Sequence, residues 1–159
     1  MSDVMITRLD QSREATDFLT LFTEYTGSLG TAGTPSDVPI PTNLVEEIRK
    51  RSDVVVFLAY EETQPAGFAV TIEGFSTFRA MPSFNVHDLG VSSRFRGQGV
   101  GKAILNAVRD EAKKRGCCKV TLEVYENNTR AFSLYQSMGF STLSGNDDSE
   151  QTLFMASPL

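Results

Sequence analysis

FNVHDLGVSSRFRGQGVGKAILNAVRDEAKKR, residues 84–115, decides how the rest of the chain is read. His87, Leu89 and Val91 alternate at the end of a strand-like run over 85–91. Arg96-Gly97-Gln98-Gly99-Val100-Gly101 follows. Val100, Ile104, Leu105, Val108 and Ala112 then recur at helical spacing, and Gly116 stops the helix. The order is strand, glycine loop, helix. A glycine loop running into a helix start exposes N–H groups that no helical carbonyl can satisfy. With the positive end of the helix dipole, they suit a phosphate or pyrophosphate.

Two familiar phosphate loops fail letter by letter. Counted back from Gly101-Lys102, the P-loop pattern puts Arg96 where its first glycine belongs, and Ala103 replaces its Ser or Thr. The dinucleotide fingerprint needs glycine at 102, which is Lys102. The stretch instead resembles the acetyl-CoA loop of the GNAT superfamily of N-acetyltransferases, Arg/Gln-x-x-Gly-x-Gly/Ala: here Arg96, Gly99 and Gly101, after Leu89-Gly90-Val91. A second stretch agrees. Lys119 to Val124 alternates like a strand, and Asn128, Ala131 and Tyr135 match the family's later Asn-x-x-Ala-x-x-x-Tyr motif, closed by Gly139-Phe140. The resemblance covers about Val54 to Phe140. Phe75-Ser76-Thr77-Phe78, running into an Asp88-Leu89 strand, looks most like the spermidine/spermine acetyltransferase-like branch.

Outward from there, Val4 to Leu9 reads as a short strand. Ser12 to Tyr25 reads as a helix with Ala15, Phe18, Leu19, Phe22 and Tyr25 on one face. Gly27, Gly30 and Gly33 with Pro35, Pro39 and Pro41 mark a long loop, a plain surface connection or a substrate gate. Asn43 and Glu46 have capping-box spacing at the start of a second helix. Val54 to Tyr60 is almost wholly apolar, as in a strand covered on both faces. Ala66 to Phe75 is its antiparallel neighbour across a short turn, and Ser76 to Ser83 reads as a link. A strand at 119–125, a helix at 128–138 and strands at 140–144 and 151–156 complete the chain, with Asn146-Asp147-Asp148 as a turn.

The expected fold is therefore α/β: one domain over 1–159, with a mixed, mostly antiparallel sheet of six to seven strands. About four helices lie on both faces. The resemblance implies a splayed parallel strand pair, 85–91 and 119–125. It also implies acetyl-CoA as acyl donor and an amine of a small molecule or protein as acceptor. Leu89, Gly90 and Val91 would pair with the pantetheine arm, and amides of Arg96, Gly97, Gln98, Gly99, Val100, Gly101 and Lys102 would take the pyrophosphate. Arg96 is otherwise a solvated loop arginine, and Lys102 a solvated lysine. Asn128 and Ala131 would line the arm, although Asn128 is also a natural helix cap. Tyr135 sits where the family places the acid that protonates the departing thiolate; by periodicity alone it is a core residue. His87, the single histidine, stands where the branch commonly has Glu, and imidazole is basic enough to take the amine's proton. Asp88, Glu123 and water compete for that role. The rival reading is a non-catalytic acyl-CoA-binding regulatory module on the same fold.

Composition bounds the rest. A length of 159 residues suffices to bury a real core. A net charge of −5 and a pI near 4.9 argue against non-specific nucleic-acid binding. No apolar run approaches the roughly 20 residues that span a bilayer, and the start shows no signal-peptide pattern. Adjacent Cys117 and Cys118 read as free thiols of a reducing cytoplasm, since a bridge between neighbours is strained. No metal site and no membrane partner are expected; a homodimer is allowed.

Overall fold

Val54 to Glu61 forms the strand β2, and its side chains feed two separate cores. Val55, Phe57 and Ala59 join one, and Val56 and Leu58 join the other. An apolar run without alternation is what a strand covered on both faces requires. The computed structural model describes residues 2–28, 39–142 and 152–159. Most of the glycine- and proline-marked loop and the Asn146-Asp147-Asp148 turn lie outside these.

Around β2 the described chain runs β1 (Asp3–Thr7), α1 (Ser12–Ser28), α2 (Leu44–Arg49), β3 (Gln64–Ser76), β4 (Met81–Val91), α3 (Val100–Lys114), β5 (Lys119–Tyr125), α4 (Thr129–Ser137), β6 (Ser141–Thr142) and β7 (Thr152–Pro158). The seven strands form one sheet in the order β1-β2-β3-β4-β5-β7-β6. Only β4 and β5 pair in parallel; every other neighbour is antiparallel. Phe18, Leu21 and Ile48 of α1 and α2 pack on Val56, Leu58, Phe68 and Val70. Val100, Ile104, Leu105 and Val108 of α3, with Tyr135 of α4, cover Val55, Phe57 and Val86 on the other face.

Two features of β4 position the site. First, its pairing with β5 covers only Phe84↔Val120, Asn85↔Thr121 and Val86↔Leu122. Beyond Val86 it continues to Val91 beside β3 alone. Second, Thr71 pairs with Val86 while Val70 pairs with Asp88, so His87 is an extra residue in β4. Such a bulge bends its strand and increases twist. It also resets the alternation: Leu89 joins the core under α3, whereas Asp88, opposite Val70, belongs to the α1 face.

Three boundaries differ from the sequence reading. The supposed link at 76–83 is a hairpin whose strands already pair at Ser76↔Met81. Pro82 is tolerated inside β4 because β5 pairing begins only at Phe84, so one side of the strand needs no N–H donor there. Helix α2 starts at Leu44; the Asn43 side chain makes no capping bond, and Glu46 instead pairs with Lys50 at 2.8 Å. The penultimate strand is confined to Ser141–Thr142 among the described residues.

Candidate active site

The glycine loop follows a 3-10 turn at Ser93–Phe95. Gly97 and Gly99 have φ of 79° and 88°, left-handed values that L side chains adopt only at a cost. Gly99 caps α3, and nothing lies within 4 Å of where its Cβ would be. Ala103 is the first residue of α3 whose N–H finds a carbonyl, that of Gly99 at 3.0 Å. Among the described residues, the N–H groups of Gly99, Val100, Gly101 and Lys102 therefore lack a backbone acceptor. They stand where the exposed loop at 96–99 runs into the start of α3, the kind of helix terminus that suits an anion.

The loop's side chains divide the work differently from the sequence reading. Arg96 Nε donates to the Val91 carbonyl at 3.2 Å, fastening the loop to the end of β4. The Gln98 N–H is taken by the Phe95 carbonyl at 3.4 Å. Lys102 is exposed in the first turn of α3. Gly101 is buried, and a Cβ there would meet Leu134 Cδ2 at 3.1 Å, so this glycine lets α3 and α4 approach. Arg130, which the sequence reading did not single out, brings its guanidinium to 3.5 Å from the Cβ position of Gly97. A loop of exposed N–H groups beside a guanidinium is a stronger anion site than either alone.

Helix α4 supplies the next groups. Asn128 Oδ1 accepts from the Ala131 N–H at 3.2 Å and caps the helix, leaving its amide NH2 free to point elsewhere. Arg109 of α3 donates to the Met138 carbonyl at 2.6 Å and fixes the far end. Between them Tyr135 is 7% exposed, its ring 6.0 Å from that of Phe140. Its hydroxyl has no hydrogen-bond partner among the described residues, yet no fully buried polar atom is left unpaired, so the hydroxyl reaches open space. Burial pushes the phenol up to about 12.

On the α1 face, a cleft of about 300 Å³ opens between α1, α2 and the sheet, with His87 and Asp88 in its wall. His87 is exposed there by the bulge. The Tyr25 hydroxyl donates to Asp88 Oδ1 at 3.2 Å. Burial, then the Asp88 charge, and then Tyr135 and Tyr125 hold the Tyr25 phenol well above its ordinary range. Glu123 is exposed on the strand face opposite Leu122, as its alternation implies. Glu24 ties the end of α1 to the loop by accepting from the Ser93 N–H at 2.7 Å. Burial opposes its ionisation, but the Ser93 and Ser92 hydrogen bonds and Arg96 win and lower its pKa.

The sequence-derived residues thus fall into two groups: the loop, Asn128, Ala131 and Tyr135 on the α3–α4 side, and His87 with Asp88 on the other. Tyr25, Arg130 and Glu24 were missed. Tyr25 shares the apolar face of α1, and nothing local distinguishes a core tyrosine from one whose hydroxyl meets a carboxylate.

Comparison with known proteins bears on the family and on the fold. The acetyltransferase (GNAT) family model matches residues 18–140. The [ribosomal protein bS18]-alanine N-acetyltransferase of Escherichia coli is 35% identical over 79 residues, 45% of this chain and 53% of that protein. The L-ornithine N5-acetyltransferase of Arabidopsis thaliana is 32% identical over 90 residues, 57% of this chain and 36% of that protein. The chain thus spans about half or less of the length of these curated relatives. The crystal structure of Arabidopsis thaliana NAA60 in complex with acetyl-CoA superposes with a TM-score of 0.71 at 15% identity, covering 100% of this chain and 99% of that one.

Proposed function

The chain belongs to the GNAT acetyltransferase family, and from that premise we propose that it transfers the acetyl group of acetyl-CoA directly to a primary amine. The observation that carries the reading is the parting of β4 from β5 beyond Val86, together with the N–H groups at the start of α3 that lack a backbone acceptor among the described residues.

The chain's residues fit the donor. Amides of 99–102 and the Arg130 guanidinium face a pyrophosphate, and β4 backbone groups of 87–91 that lack a β5 partner can pair with an extended arm. A β4 N–H in the opening can polarise the thioester carbonyl. The amine nitrogen attacks that carbonyl carbon as the carbon–sulfur bond breaks. Tyr135 gives its proton to the departing sulfur, and His87, on the cleft side, takes the proton the amine loses. Asp88 attracts the ammonium before that loss. The relatives' names span a protein N-terminal alanine and an ornithine side chain, so the family premise leaves the acceptor open.

We place the chain in the cytoplasm, supported by the free thiols of Cys117 and Cys118. No helix among the described residues is long and apolar enough to cross a membrane. Calorimetric titration with acetyl-CoA, ATP and NAD, followed by a thiol-release screen over amines, tests the proposal. Acetyl-CoA alone should bind, and at least one amine class should release thiol. Preference for ATP or NAD would overturn it.

A further inference from the structure

The glycine loop is tied to the rest of the molecule at few points, and one of them is a carboxylate on α1. Resting on the reading of residues 99–102 as a pyrophosphate seat, we propose that Glu24 is a positioning residue for the acyl donor. By holding the Ser93 N–H it sets where that seat stands relative to the end of β4, so that one acetyl-CoA can engage both.

Ser92 still bonds to the sheet, its N–H donating to the Ala66 carbonyl at 2.9 Å. After it the hydrogen bonds turn local. The Phe95 N–H donates to the Ser92 carbonyl, and the Gln98 N–H to the Phe95 carbonyl. Gln98 Nε2 donates to the Arg94 carbonyl, and Arg96 Nε to the Val91 carbonyl. The exception among the described residues is the Ser93 N–H, which donates to Glu24 Oε1 at 2.7 Å across 69 residues of chain. Phe95 adds an apolar contact with the core under α3. Gly97 and Gly99 give the stretch left-handed turns and the conformational freedom of glycine. A tether at its start therefore reduces the ordering that binding an anion requires.

The anchor is itself fixed. Helix α1 packs on β2 and β3 through Phe18 and Leu21. The residue after Glu24, Tyr25, closes on β4: a Cβ at Gly90 would stand 3.2 Å from Tyr25 Cβ. The Tyr25 hydroxyl donates to Asp88. Two consecutive residues of α1 thus reach Asp88 and Ser93, which flank the stretch 89–91 that has no β5 partner. Burial opposes ionisation of Glu24, but the bonds from Ser93 and Ser92 outweigh it, so a full carboxylate holds the Ser93 N–H.

Acetyl-CoA and S-acetylpantetheine, which share the thioester arm and differ by the nucleotide and its phosphates, are the probes. Calorimetric titration of acetyl-CoA into the free protein, and into protein loaded with S-acetylpantetheine, gives both Kd values. Glu24→Ala should weaken acetyl-CoA by about tenfold, the scale of a hydrogen bond to a charged group, and leave S-acetylpantetheine nearly unchanged. Glu24→Gln, which keeps an oxygen to accept from Ser93, should lose less. The Ser93 amide hydrogen should exchange faster in Glu24→Ala while those of β3 keep their protection. Unmoved acetyl-CoA affinity in a folded Glu24→Ala, or equal losses for the two donors, would overturn the assignment. So would a Glu24→Gln variant no better than Glu24→Ala. A wild-type protein that binds both donors equally would remove the pyrophosphate seat, and this proposal with it. All of these readouts are of binding, so failure of acetyl transfer in the amine screen would overturn the transfer reading alone.

Discussion

The Tyr25 hydroxyl donates to Asp88 Oδ1 at 3.2 Å, joining α1 to β4 across 63 residues of chain. The bond depends on the bulge. Were β4 regular, His87 would pair with Val70, and alternation would turn Asp88 toward α3 and away from Tyr25. A single inserted residue thus brings a histidine and a carboxylate to the wall of one cleft, with a helix phenol steadying the carboxylate.

Tyr25→Phe should separate the two substrates. The ring packing against Phe22 and Phe68 survives, so the stability loss should be about 1 kcal/mol, that of one hydrogen bond. KM for the amine should rise severalfold while the calorimetric Kd for acetyl-CoA stays near the wild-type value. Equal losses for both would mean that Tyr25 supports the fold generally.

Gly99→Glu puts bulk and negative charge at the capping position of α3 and forces a side chain into φ 88°. The strain should cost about 1–2 kcal/mol, leaving the chain folded. Acetyl-CoA binding should vanish in calorimetry. A folded variant that binds acetyl-CoA like wild type would remove the phosphate seat from this loop.

If His87 takes the amine's proton, kcat/KM should fall toward acid pH, because a protonated imidazole is no longer a base. His87→Ala should slow the reaction and abolish that acid limb without changing acetyl-CoA affinity. His87→Glu should restore part of the rate and move the limb toward acid. An alanine variant with the wild-type rate and an unmoved limb would pass the role to Asp88, Glu123 or water.

The order strand, glycine loop, helix was legible because local spacing dictates it: Val100, Ile104, Leu105 and Val108 can face one way only on a helix. The buried centre of the sheet was legible in β2 for a similar reason. The bulge was not, since His87 carries no local mark and only pairing with Thr71 and Val70 makes it an extra residue. Asn43–Glu46 had the right spacing for a capping box, but Lys50 offered Glu46 a full charge. The distinct tasks of Gly99 and Gly101 were also invisible, because one stands in open space and the other against Leu134. Glu24 meets Ser93 only through tertiary packing.

Tyr135 should act as an acid over the whole working pH range. Burial raises its phenol from 10.0 to about 12, so the protonated form persists until pH rises through that value. No basic limb in kcat below about pH 11 should belong to it. By the same shift its contribution to stability is present below pH 10 and is lost toward pH 12. Tyr135→Phe should lower kcat about 100-fold or more, the scale of general acid catalysis, with acetyl-CoA affinity nearly unchanged. An unchanged kcat, with chemistry shown to limit the rate, would leave Tyr135 a core residue.

The central claim is that this chain moves an acetyl group from sulfur to nitrogen. The most direct test counts free thiol and N-acetylated amine in the same reaction, over a panel spanning amino acids, polyamines, aminoglycosides and an alanine-initiated peptide. The account predicts equal amounts of the two products, at a rate that saturates in both substrates and falls with Tyr135→Phe. Tight acetyl-CoA binding with thiol appearing no faster than by spontaneous hydrolysis, whichever amine is present, would contradict it and make the chain an acyl-CoA-binding module.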